Sequence, residues 1–211
     1  MTTGRFGVFR PQGDVYALDM TVAGQIKDML IHGDLGNNSV IRTSGRVGNM
    51  GNIRILGSLD GDILASGRIK RLFVAESISG NVESNSRNKG NAVNQLIIGG
   101  DIAEGGLAIR GNMGRIVIGG NFGRTGTLFT VQGKLGSLTV KGDMFSSLRV
   151  GTKLGKLIVG GSIITGVTIE AQRIGSVKVG GDVQPGVVFR AERPPKIRTG
   201  GQMLGTYEPL A

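Results

Sequence analysis

A ten-residue pattern recurs along almost the whole chain and leaves few folds open. The clearest copies are LGSLTVKGDM from Leu135, LGKLIVGGSI from Leu154 and IGSVKVGGDV from Ile174. Upstream stand MGRIVIGGNF from Met113, VNQLIIGGDI from Val93, IKRLFVAESI from Ile69, MGNIRILGSL from Met50, IKDMLIHGDL from Ile26 and FGVFRPQGDV from Phe6. A degenerate last copy starts at Ile197. The ten starts lie 20, 24, 19, 24, 20, 22, 19, 20 and 23 residues apart, a spacing typical of solenoid repeats.

Each position in the unit has its own character. Counting the first apolar residue as position 0, positions 3 and 5 are apolar almost throughout, as in Leu138 and Val140 or Leu157 and Val159. A spacing of two puts both side chains on one face of a strand. Position 9 is apolar as well, from Val15 to Val183, and a third apolar pair follows: Leu148 and Val150, Val167 and Ile169, Val187 and Phe189. Glycine holds position 7 in eight of the ten copies, as a backbone with positive φ or a close approach between coils requires. Asp, Ser or Asn follows it in nine of ten. These residues bond their own backbone at turns.

The pattern predicts an all-β, single-stranded parallel β-helix, or β-solenoid, right-handed and built of about ten coils of 19–24 residues. One coil cannot bury its apolar side chains alone, but stacked coils share a continuous inner column. Ten coils at a strand spacing of ~4.8 Å make a rod of about 48 Å. Composition agrees. Glycine is 39 of 211 residues, and glycine at that density rules out helices, where each costs ~1 kcal/mol. It does not recur every third residue as in collagen. A hydrophobic share of 39% argues against disorder. The whole chain, residues 1–211, reads as one solenoid domain. A polar insertion lies at residues 83–92 (ESNSRNKGNA), and a degenerate coil or cap rich in proline lies at residues 194–211.

The unit resembles the glycine-rich parallel β-helix repeats of large bacterial surface and fibre proteins, from Phe6 to about Val183. It also resembles, with longer coils, the bactofilins, cytoskeletal solenoids that polymerise end to end. These resemblances imply a cell-surface or filament-forming structural protein whose partner is itself or further coils of a longer chain. The chain opens without a signal-peptide apolar segment, and no run is long enough for a transmembrane helix, so membrane insertion is not expected.

Chemistry-bearing groups are few. With no cysteine and one histidine, His32, neither a thiolate metal site nor a triad can be assembled. His32 sits at an outward position and is expected to be exposed. The aspartates after the glycine interchange with Ser and Asn, which a turn bond tolerates and a general acid does not. The glycine-rich stretches lack the GK[ST] of a phosphate loop. No tryptophan and two tyrosines, Tyr16 and Tyr207, leave little for stacking sugars or bases. No catalytic residue, cofactor or metal ligand is expected, and the chain reads as a non-enzyme.

Charge is the remaining signal. The chain carries +10, of which residues 1–105 hold +1 and residues 106–211 hold +9. A basic residue precedes position 0 in four successive copies: Lys134, Lys153, Arg173 and Lys196. Stacked, they would form a ladder able to hold a polyanion such as an anionic glycan or nucleic acid. The expected function is a scaffold, spacer or self-assembling rod, with polyanion binding by the basic half as the alternative.

Overall fold

The computed structural model describes residues 2–45, 48–86, 90–103 and 106–210, with side chains from Phe6 onward. Every regular element among them is a strand, and all strand pairings are parallel, each strand lying against its counterpart one repeat later. Phe6 pairs with Ile26, Ile26 with Met50, Met50 with Ile69 and Ile69 with Val93. The series continues through Met113, Leu135, Leu154 and Ile174. The chain is a β-solenoid of about ten coils.

The inward rows are those the repeat predicts. Ile116, Ile118, Leu138 and Val140 are 0% exposed, because positions 3 and 5 of every coil point into the stack. Position 9 forms isolated parallel bridges from Val15 to Met203, coil by coil. A second strand in each coil adds two further inward columns, in which Leu148 lies on Ile169 and Ile169 on Phe189. Here the expected register is corrected. Val150 pairs with Ala171, so Val167 and Val187 belong two residues earlier, in the row of Ser146, all three buried. Ser146 is tolerated there because its hydroxyl meets that of Thr127 and donates to the Arg124 carbonyl at 2.9 Å.

The last coil is also re-framed. Ile197 pairs with Val177, and Met203 with Val183. Ile197 is therefore position 3, not position 0, and the coil leads with Pro194, 20 residues after Ile174. The apolar residue that marked the other starts is replaced by proline, which hid the frame. The polar stretch expected at residues 83–92 is narrower in the structure. Val82–Ser84 and Asn91–Ile98 are strands, with Ser84 and Ala92 buried, and residues 87–89 of the connection lie outside the described residues.

Candidate polyanion-binding face

The polar row at position 8 does not act within its own turn, as the sequence suggests, but across coils. Asp14 Oδ1 accepts the N–H of Asp34 at 2.8 Å, and Asp34 Oδ1 that of Ser58 at 2.6 Å. Further along, Ser77 serves Asp101, Asp101 serves Asn121, Asn121 serves Asp143, and Asp143 serves Ser162. Ser162 serves Asp182, and Asp182 serves Gln202. The glycine at position 7 is the other half of this device. A Cβ on Gly33 would lie 1.9 Å from Asp14 Oδ1, one on Gly120 1.9 Å from Asp101 Oδ1, and one on Gly161 2.0 Å from Asp143 Oδ1. Glycine is thus required by the side chain of the coil before, and none of these three has a left-handed φ.

In the corrected frame Gly201 joins the row, which leaves Glu76 as its single non-glycine. At that step the ladder changes partner. The Ser58 hydroxyl turns to Glu76 Oε2 at 3.0 Å, away from the N–H of Ser77. At the first rung the Tyr16 hydroxyl donates to Asp14 Oδ2 at 3.2 Å, and that carboxylate raises the tyrosine's pKa. His32 is exposed, as expected.

The predicted cationic ladder is placed as follows. Lys153 lies in register with Arg173, and Lys134, one residue before the Leu135–Leu154 pair, adjoins Lys153. Lys196 does not continue this row. It pairs with Ser176, at position 2, where Lys156 and Arg115 also stand. Arg193 is the residue before the re-framed Pro194, and the bond from Glu192 N to Gln172 O places it beside Arg173. The error follows directly from the mistaken start at Ile197.

All of these cations share one face, and the face is larger than the ladder. The residue before position 0 through position 6 makes up the strand side led by Phe6 in the first coil and Pro194 in the last. Over ten coils these positions hold 17 of the 25 Lys and Arg but one of the 15 Asp and Glu, Asp28, a net of +16. All other positions hold 8 basic and 14 acidic residues, a net of −6. The described cations of the face, from Arg10 to Arg198, are all exposed. From Asn112 onward the face has no carboxylate at all, and its ten cations include Lys134, Lys141, Lys156, Lys178 and Arg198.

Ion pairs form elsewhere. On the second strand of each coil, Arg149 meets Glu170 at 3.0 Å, and Arg190 meets Glu208 at 2.8 Å. Glu170 also lies in register with Arg190, so signs alternate along that row. Arg42 stands 4.0 Å from Asp19. Between described residues, no ion pair involves a cation of the basic face. Like charges stacked at ~4.8 Å without intervening acids repel one another.

A division of charge by halves is what the linear sequence shows; the division by face needs the repeat frame. No helix among the described residues is long and apolar enough to cross a membrane. No protein-family model, curated protein or solved structure matches the chain.

Proposed function

We propose that the chain is a non-enzymatic structural β-solenoid serving as a scaffold, spacer or end-to-end assembling rod. The observation that supports this reading is the use made of the position 8 row. Five aspartates that a catalytic solenoid could aim at a substrate instead accept backbone N–H groups of the next coil, and so hold the rod together. The resemblance to bacterial surface, fibre and bactofilin repeats supports the same reading and favours a cell-surface or filament setting. Negative-stain electron microscopy with light scattering of the purified protein tests it. Rods joined along their axis are expected; compact particles with hydrolytic or transferase activity would overturn it.

A second reading, polyanion binding, is supported by the +16 face. Phosphate or carboxylate groups lying along that face would release counterions and lower the repulsion between rungs. The test is binding to heparin and to single-stranded DNA across a salt series. Replacing Lys134, Lys153, Arg173 and Arg193 by Gln is expected to make the log-affinity against log-salt slope on single-stranded DNA shallower by about 3. Equal slopes before and after would remove this reading and leave the cations as a solubility device.

A further inference from the structure

Two glycines of the first coil have no reason to be glycine within one copy of the chain. Among the glycines whose surroundings are described, five have no heavy atom within 4 Å of the place a Cβ would take. Gly45, Gly126 and Gly166 are explained by φ values of +86°, +87° and +84°, which side chains rarely tolerate. Gly7 and Gly13 have open space and no left-handed φ. Of the two, Gly13 belongs to a row that later coils keep as glycine at every step but Glu76, because the coil before them requires it: a Cβ on Gly33 would strike Asp14. At Gly13 the first coil therefore carries the adaptation of a coil with another beneath it.

We propose that the last coil of a second copy of this chain occupies that face, end to end; this rests on the rod reading above and names its contact. The opposite end offers what the face needs. Gln202 stands in the row that bonds the next coil, its own N–H given to Asp182 and its side chain exposed. Its amide oxygen is the acceptor that would meet the Asp14 N–H of the neighbour, over Gly13. The columns also match. Ile197, Met203 and Tyr207 end the same three inward rows that Phe9, Val15 and Met20 begin, and none of these six is fully buried. Such head-to-tail contact does not close on itself and grows into filaments.

One segment stands in the way. Thr2 pairs with Val22 and so takes the first-coil place in one column, while Pro209 pairs with Ala191 and takes the place one coil beyond the last. In a seated pair both would claim the same place, so Thr2–Gly4 must yield before copies join.

Sedimentation velocity on the wild-type chain, a chain lacking residues 2–4, and that shortened chain carrying Gly13→Val tests this. The shortened chain is expected to associate at least tenfold more tightly than wild type. Gly13→Val should return it to monomer with an unchanged melting temperature, since nothing in one copy touches that Cβ. The chain has no cysteine, and Arg10 and Arg198 share one outward row. Chains carrying Arg10→Cys and Arg198→Cys should therefore cross-link when mixed and oxidised, well above either alone, as rungs ~4.8 Å apart permit. Association that survives Gly13→Val, without the mixed cross-link, would overturn this contact and leave the rod reading standing. Monomers throughout, at every concentration, would overturn this contact and end-to-end assembly with it, leaving only a scaffold or spacer.

Discussion

The position 8 ladder is unbroken from the fourth coil to the last, yet between the third and fourth coils it fails. Along the unbroken stretch, Asp143 bonds Ser162 across a step that Gly161 leaves open. At the failed step Glu76 stands where glycine should, and Ser58 bonds its carboxylate. The difference teaches that the Gly-Asp signature of this repeat is not one local turn motif. Its two residues serve different coils, the glycine receiving the acceptor from before and the aspartate supplying the one that follows. Where one member of such a split pair is lost, its partner has nothing to fit and is free to drift, as Ser58 has.

Substitutions at the two steps should separate them. Gly161→Val places a Cβ 2.0 Å from Asp143 Oδ1 and 3.0 Å from the Gly142 carbonyl oxygen, so the coil must shift or eject the aspartate. A loss of about 3 kcal/mol is expected in urea denaturation, of the size seen for overpacking with a lost hydrogen bond. The same end residue at the failed step, Glu76→Val, should cost under about 1 kcal/mol, because that site already accommodates a Cβ. Comparable losses at both sites would mean that position 7 is sensitive for a reason other than the acceptor beneath it.

A smaller effect is expected from the acceptors themselves. Asp143→Ala leaves the Ser162 N–H without its partner and should cost about 1–2 kcal/mol. Ser58→Ala, which removes a hydroxyl that bonds an exposed carboxylate, should cost no more than about 0.5 kcal/mol. One change runs the other way. Ser58→Asp combined with Glu76→Gly rebuilds the missing rung and should raise stability by about 1 kcal/mol, while either substitution alone gains less. A double variant that only sums its single effects would show that the two positions are not coupled.

Most of the architecture was legible because it follows from periodicity. Positions 3, 5 and 9 point inward for the reason that made them apolar, and burial of Ile116 and Val140 was readable from spacing alone. The partner of the position 8 side chain was not. A turn bond and a bond to the coil above both favour Asp, Asn and Ser, and a linear sequence cannot say which N–H lies within 3 Å. The glycine one residue earlier held the clue, since a local turn would not demand it so regularly without a positive φ. The last coil was misread because Pro194 replaced the apolar start and Ile197 imitated one. That slip of three residues carried Lys196 into the wrong row and hid Arg193. The one-sided charge was present in the sequence, but it emerges only after residues are sorted by their place in the coil.

The one-sided charge also governs how the molecule behaves as an electrical object. A rod with +16 along one side and −6 over the rest has a large dipole moment at right angles to its length. Net charge alone would describe it as a moderately basic protein that repels its own kind. The transverse moment instead gives each rod a preferred roll angle. Near a negatively charged plane it should settle with its long axis parallel to the plane and one side down, and the torque holding it there should fade as salt shortens the Debye length to below the ~10 Å of 0.1 M. Every rod so held would present the same outer surface to the solution.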